Sequence, residues 1–280
     1  MNRKKSYPIV LSIAGSDSSG GAGIQADLKT LSALGVYGAT AITAITVQNT
    51  LGVHSQLAID PQIVYDQIIA VVDDLHPHFV KIGMLANVEI VNAVAEALNK
   101  YNIQIILDPV IISTSGHRLL SIEAQQTIKE RLIPISTLVT PNIPEMEALT
   151  NMPLGSLSKK GCAARYLLDL GAKAILIKGG HEEGNTKSDI LFSTSESGIQ
   201  TSTFTSETTL TKNTHGTGCT LSSAITAFMA RGLDIIDAIA AAKRYVSEAI
   251  RAGADINIGK GFGPVNHGFN PLKMLVYENE

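Results

Sequence analysis

Ile9-Val10-Leu11-Ser12-Ile13-Ala14-Gly15-Ser16-Asp17-Ser18-Ser19-Gly20-Gly21-Ala22-Gly23 decides the fold. Its first six residues form a nearly continuous apolar run, the pattern of a strand covered on both faces, as in parallel sheets. A glycine loop follows and leads into a helix predicted over residues 23–34. Further strands are predicted at 40–47, 79–82, 103–107, 137–139 and 174–177. Between them, Val64, Ile68, Val71, Val72 and Leu75 mark one face of a helix. Other helices are predicted at 87–100, with Asn87 as cap, and at 122–132, 143–150 and 158–170. Residues 189–192 and 198–204 break this alternation and read as a hairpin at the sheet edge. Helices at 217–230 and 235–251 follow, and no periodicity continues after Gly253. The expected architecture is a single α/β domain over residues 1–280, a mostly parallel sheet with helices on both faces and an edge hairpin.

Composition narrows the function. A chain of 280 residues, 45% of them hydrophobic, buries one large core. A net charge of -3, no basic block and no Trp provide neither the electrostatic footprint nor the stacking platforms of a nucleic-acid binder. Cys162 and Cys219 make no disulfide framework, which suits a reducing compartment. Cys162 sits in an amphipathic helix with Leu167 and Leu170 and is read as core packing. Arg3, Lys4 and Lys5 before an apolar stretch imitate a signal peptide. That stretch is too short to span a membrane and runs into the glycine loop, so it is read as the first strand of a cytoplasmic protein.

In parallel sheets ligands collect at the carboxyl ends of the strands, and the polar signals fall there. They are the first glycine loop, Gln48-Asn49-Thr50, Gly83-Met84, Asp108-Pro109 with Thr114-Ser115-Gly116, Thr140-Pro141-Asn142 with Glu145, and Lys178-Gly179-Gly180-His181. The first loop is not a Walker loop, because Gly21 stands where lysine is required, and its glycines lack the dinucleotide-binding spacing. Asn213-Thr214-His215-Gly216-Thr217-Gly218-Cys219-Thr220 precedes Leu221, Ala224, Ile225, Phe228 and Met229, one helical face. Backbone N–H groups at such a helix start, beside glycines, hold a phosphate or a developing anion. Cys219 is placed there to handle a proton.

Together these segments resemble the ribokinase superfamily, and within it the vitamin-kinase branch that includes the hydroxymethylpyrimidine/phosphomethylpyrimidine kinases. The resemblance covers residues 9–267. It is carried by residues 14–30, Val47-Gln48-Asn49-Thr50, Lys81-Ile82-Gly83-Met84-Leu85, Thr140-Pro141-Asn142-x-x-Glu145, Lys178-Gly179-Gly180-His181, residues 213–219 and Gly263-Pro264-Val265-x-His267. It implies a three-layer ribokinase-like fold and ATP-dependent phosphorylation of 4-amino-5-hydroxymethyl-2-methylpyrimidine and of its monophosphate, in thiamine diphosphate biosynthesis. Pyridoxine and pyridoxal kinases of the same branch are the alternative.

Phosphoryl transfer needs charge neutralisation and in-line positioning more than covalent help. The resemblance therefore places the amides of Gly216, Thr217, Gly218 and Cys219 around the migrating phosphoryl group. It places Lys178, Thr140 and Asn142 at the ATP phosphates, and Glu145, Asn142 and Asp108 at Mg²⁺, largely through water. Read alone, Glu145 is a first-turn acid favoured by the helix dipole. Sugar kinases of the superfamily usually carry Asp where Cys219 stands. A helix start lowers a thiol pKa, so a thiolate base is reasonable there, although a bound phosphate opposes the lowering. Gln48 is expected to read the pyrimidine edge, since one amide matches a donor and an acceptor at once. Gly15, Asp17 and Met84 are its expected neighbours. Residues 114–120 and 180–187 are read as loops that exclude water during transfer. Glycine spacing argues against a dinucleotide oxidoreductase. The joint presence of Lys178, Asn142, Glu145 and the 216–219 loop argues against a non-catalytic sensor. A homodimer with small-molecule ligands, and with no nucleic-acid or membrane partner, is expected.

Overall fold

The computed structural model describes residues 5–111, 119–180, 184–195 and 198–278. In chain order the strands are β1 (Lys5–Ser6), β2 (Ile9–Asp17), β3 (Tyr37–Asn49), β4 (Gly52–Ala58), β5 (Phe79–Ile82), β6 (Gln104–Leu107), β7 (Leu138–Val139), β8 (Ala174–Ile177), β9 (Thr186–Ser195), β10 (Gly198–Glu207) and β11 (Tyr277–Glu278). The helices are α1 (Gly23–Ala33), α2 (Pro61–Leu75), α3 (Val88–Leu98), α4 (Ile122–Arg131), α5 (Ile143–Thr150), α6 (Leu157–Asp169), α7 (Thr217–Ala230) and α8 (Ile235–Gly253).

One nine-stranded sheet runs β10-β9-β8-β7-β6-β5-β2-β3-β4. Its inner strands, from β8 to β3, are mutually parallel. Val10, Leu11 and Ile13 of β2 and Ile106 and Leu107 of β6 are fully buried, as the apolar runs require when both faces are covered. One core cluster joins the sheet to α2 through α6, and a second, on the opposite face, joins it to α1, α7 and α8. Helix starts follow local chemistry. Asp60 accepts from Gln62 N and Ile63 N ahead of Pro61, and Asn87 accepts from Ile90 N as its sequence position predicts. Strand β2 pairs with β3 on one side and with β5 on the other, so successive crossovers diverge there and open a crevice above its carboxyl end.

The predicted edge hairpin is present as β9 and β10, longer than expected and antiparallel to β8. A second hairpin, β3–β4, forms the opposite edge and was not predicted. Strand β4 is exposed along most of its length, so no apolar alternation announces it. It draws Gln48 and Asn49, read as a loop, into the end of β3. The tail is also less irregular than its sequence suggests, since β11 pairs with β1. Cys162 is exposed, not core. The buried face of α6 is Lys160, Ala163, Ala164, Leu167 and Leu168, and position 162 falls outside it. Thr114-Ser115-Gly116, His181 and the turn at 196–197 lie outside the described residues, as do parts of both proposed water-excluding loops. No described helix is long and apolar enough to cross a membrane.

Candidate active site

A cavity of about 660 Å³ lies at these strand ends and is lined by Gly15, Asp17, Gln48, Met84, Asp108, Asn142, Glu145, Lys178 and residues 216–219. Sequence reasoning expected all of these at one site. Thr140, also expected there, does not line the cavity. It is fully buried, and its Oγ1 stands 3.3 Å from Asp108 Oδ1, so it supports that carboxyl from behind.

The first wall grows out of β2. Pairing with β3 shifts register between Ala14 and Ser16, a bulge at Gly15 that turns the strand end towards the cavity. A Cβ on Gly15 would stand 3.1 Å from Met84 Sδ, so the missing side chain leaves room for the methionine. Asp17, expected as a pocket neighbour, spends its carboxylate on the protein. Oδ1 accepts from Ser19 N and Ser19 Oγ, both at 2.8 Å, and Oδ2 accepts from Ala22 N at 2.8 Å and Gly21 N at 3.2 Å. His215 Nε2 adds a contact at 2.8 Å. Burial pushes the Asp17 carboxyl up, but the hydrogen bonds from His215 and Ser19 outweigh it and hold the group well below the usual carboxylate range.

Gln48 stands beside this loop. Ser18 Oγ accepts from its backbone N–H at 3.0 Å and donates to its carbonyl at 2.8 Å. Its side-chain amide lies 3.3 Å from His215 Nε2 and 3.2 Å from Thr46 Oγ1. Another part of the cavity wall is charged. Lys178 Nζ pairs with Asp108 Oδ1 at 2.7 Å and with Glu145 Oε2 at 3.8 Å. Glu145 and Asn142 form a capping box at the start of α5, Asn142 N donating to Glu145 Oε2 and Glu145 N to Asn142 Oδ1, each at 2.8 Å. The first-turn reading of Glu145 and its cavity position therefore both hold. Burial pushes the Glu145 carboxyl up to about 7; Lys178 opposes the rise and Asp108 adds to it. Lys178 is largely desolvated too, with 11% of its side chain exposed, yet its two carboxylate partners hold the ammonium above its ordinary value. Among the described residues no group of three or more His, Cys, Asp or Glu is arranged to hold a metal.

Helix α7 closes the site. Gly216 at its N-cap has φ 80, and no side chain caps the helix. A Cβ at that position would overlap the Gly21 carbonyl, so glycine is required twice over. Thr217 N is drawn back to Thr214 O at 3.3 Å. Gly218 and Cys219, next along this uncapped turn, line the cavity and are the amides best placed for an anion. Cys219 belongs to the first turn of α7 and not to the loop before it. Burial pushes its thiol up to about 11, against the pull of Lys81, so the lowering expected at a helix start does not prevail. Turnover that depends on the thiolate should therefore still be rising at the alkaline end of a pH profile. Cys219→Ser is expected to lose about 10²-fold, the lower end of general-base contributions. A loss beyond 10⁴-fold, with a thiol-dependent rise abolished by the substitution, would give Cys219 the main catalytic role.

Several residues that shape the site carry no role in the sequence reading. His215 bridges Asp17 and Gln48. Lys81 Nζ lies 2.9 and 3.0 Å from the two carboxylate oxygens of Asp27, and Ser12 and Ser223 each donate to that carboxylate at 2.6 Å, locking β2, β5, α1 and α7 together. Lys243 Nζ pairs with Asp189 Oδ2 at 2.6 Å, while Asp189 Oδ1 accepts from Gly179 N at 2.9 Å and fixes the turn after Lys178. His215, Lys81 and Asp27 all stand inside quoted motifs. Their partners lie far away in sequence, so only the folded chain reveals what they do.

The chain matches a protein-family model described as phosphomethylpyrimidine kinase over residues 17–266. It is 45% identical to a hydroxymethylpyrimidine/phosphomethylpyrimidine kinase of Rhizobium meliloti over 92% of this chain and 96% of that protein. It is 46% identical to a thiamine biosynthesis bifunctional protein of Geobacter sulfurreducens over 95% of this chain, and spans 54% of that longer protein. A crystal structure of phosphomethylpyrimidine kinase from Clostridium difficile 630 shares 44% identity with a TM-score of 0.75, covering 86% of this chain and 99% of that one. A pyridoxal kinase from Staphylococcus aureus, solved in complex with AMP-PCP and pyridoxal, shares 31% identity with a TM-score of 0.84, covering 97% of this chain and 98% of that one. The match runs through the β2 glycine loop, the Lys178 turn and the start of α7 alike, and with this span and identity the chain belongs to the phosphomethylpyrimidine kinase family, ribokinase-like in fold.

Proposed function

We propose that this chain uses ATP to phosphorylate 4-amino-5-hydroxymethyl-2-methylpyrimidine and then its monophosphate, in thiamine diphosphate biosynthesis. The observation that carries the reading is one continuous cavity lined by an amide reader, Gln48, by Lys178 and by an uncapped helix start. The substrate alcohol attacks the γ-phosphorus, the new O–P bond forms as the bond to the β,γ-bridging oxygen breaks, and ADP leaves. The alcohol proton passes to water, or to Cys219 only in its ionised form, late, because a loose transition state needs little early deprotonation. The amides of Gly218 and Cys219 hold the migrating phosphoryl group, and Lys178 neutralises the phosphates.

Asp108 and Glu145 offer hard carboxylate oxygens on the same wall, a donor set that fits Mg²⁺ held through water and phosphate oxygens. The ion would supply additional charge neutralisation there. Asn142, with its side-chain oxygen engaged in the capping box, acts by positioning Glu145. Gln48 reads the aminopyrimidine edge, with Gly15 and Met84 shaping the ring slot and Asp17 organising the loop. A cytoplasmic homodimer belongs to the same reading, supported by the unpaired thiols and by exposed Ile45, Val47, Leu51 and Leu57 on the β3–β4 hairpin.

Gln48→Ala is expected to weaken pyrimidine binding by about 1–3 kcal/mol while sparing nucleotide binding, since it leaves ligand polar groups unpaired. Calorimetric titration of the folded variant with pyrimidine, pyridoxal and ATP measures both effects. Unchanged pyrimidine affinity removes Gln48 as reader, and tighter binding of pyridoxal than of pyrimidine by the wild type sinks the substrate assignment.

A further inference from the structure

The Gln48 side chain ends in an amide whose two ends have the same shape, so only its partners decide which end faces which way. Both partners are settled by contacts of their own. The Asp17 carboxylate accepts from the Ser19, Gly21 and Ala22 amides and from Ser19 Oγ. A carboxylate ringed by donors is ionised and can only accept, so His215 Nε2, 2.8 Å from Asp17 Oδ2, carries a hydrogen. On the other side, Thr46 Oγ1 lies 2.8 Å from the Ser16 carbonyl, which also only accepts. The single hydroxyl hydrogen of Thr46 goes to Ser16, and towards Gln48 the oxygen offers a lone pair.

With the amide nitrogen towards His215, two donors would meet at 3.3 Å and two acceptors would meet at 3.2 Å on the Thr46 side. Turned by half a rotation, both contacts become hydrogen bonds. The carbonyl oxygen then takes a share of the His215 N–H, and the NH₂ group donates to Thr46. One N–H and one oxygen lone pair remain for the cavity, in a set order.

We propose that Thr46 and the Asp17–His215 pair are positioning residues that lock the Gln48 amide with its oxygen on the His215 side, and that this lock sets which heteroaromatic edge the enzyme accepts. The inference rests on the pyrimidine reading of the site. The accepted edge carries an exocyclic amino group on the His215 side and a ring-nitrogen acceptor on the Thr46 side. This order agrees with the chemistry of the substrate. Its hydroxymethyl group neighbours the amino-bearing carbon, and His215 directly precedes Gly216 at the start of α7, where the phosphoryl group is held. The opposite amide orientation would carry the amino group, and the alcohol with it, away from α7. Ser18, hydrogen-bonded to both backbone groups of Gln48, keeps the base of the side chain in place so that the lock acts on the amide alone.

Two measurements test this. The first is nuclear magnetic resonance on the ligand-free protein, with the Gln48 side-chain resonances identified by their loss in Gln48→Ala. The expected result is a hydrogen on His215 Nε2 and Gln48 amide protons close to the Thr46 methyl. Amide protons close to the His215 ring, or an Nε2 without hydrogen, overturn the lock. The second compares kcat/KM for the 4-amino pyrimidine with that for its 4-oxo counterpart, whose donor and acceptor are exchanged. Thr46→Val should lower the wild-type preference about tenfold, the scale of one polar mismatch, mainly through KM, and Thr46→Ser should retain the preference. An unchanged ratio, or equal losses on both substrates, overturns the specificity role. If the wild type phosphorylates neither compound, the pyrimidine reading fails, while the resonance measurement still decides the amide orientation.

Discussion

Gly218→Val is expected to lower turnover by about 10³-fold while leaving the protein folded, the upper end of what disabling a single anion-hole donor costs. Gly218 lies in the first turn of α7. A Cβ there would stand 3.6 Å from Lys178 Nζ and 3.7 Å from Asp108 Oδ2, ordinary contact distances that the fold tolerates. The two γ-methyl groups of valine reach further, into the space the phosphoryl group has to occupy. Gly216→Val fails differently: φ 80 and the overlap with the Gly21 carbonyl oppose any side chain, so it should unfold the junction between α7 and the β2 loop. Thermal melts and steady-state rates on both variants separate the effects. A Gly218→Val enzyme within tenfold of the wild-type rate would remove the phosphoryl group from this turn.

Lys178→Met is expected to damage activity and stability together. It deletes the cation at the phosphates and leaves Asp108 and Glu145, 1% and 4% exposed, without their counter-charge. Breaking a buried pair from one side costs about 3–5 kcal/mol. The loss depends on pH in a defined direction. In the wild type, burial raises the folded-state Glu145 pKa from 4.5 to about 7, so stability from this group is complete below the lower value and is lost as pH rises through the upper one. Without Lys178 the pull towards the ionised form disappears, the folded pKa climbs further, and the loss extends to higher pH. The melting-temperature deficit, measured in metal-free buffer, should therefore be larger at about pH 8 than at about pH 5. Adding Glu145→Gln should recover part of the alkaline deficit. A deficit independent of pH would show that Lys178 does not hold Glu145.

The layers of the fold were legible because burial on both faces writes itself into β2, β5, β6 and β8 as apolar runs, and each of these strands ends in one of the polar segments. The capping box of Asn142 and Glu145 was legible for a similar reason, since its partners stand three residues apart. The β4 hairpin was not, because a strand exposed along most of its length carries no period to read. Cys162 misled for the opposite reason: α6 is amphipathic, but the buried stripe passes beside that position.

By itself, then, the sequence determined the parallel sheet, the strand ends that carry the site, and the family to which the motifs belong, since each rests on neighbours close along the chain. Only the tertiary structure decided that Thr140 stands behind Asp108, that Asp17 spends its carboxylate on its own loop and His215, and that Cys219 is a half-buried thiol held in its protonated form. Those outcomes depend on which groups meet across many intervening residues, as Asp17 and His215 do, and on how much water is left between them. A carboxylate or a thiol takes its charge from that encounter and not from its place in the chain.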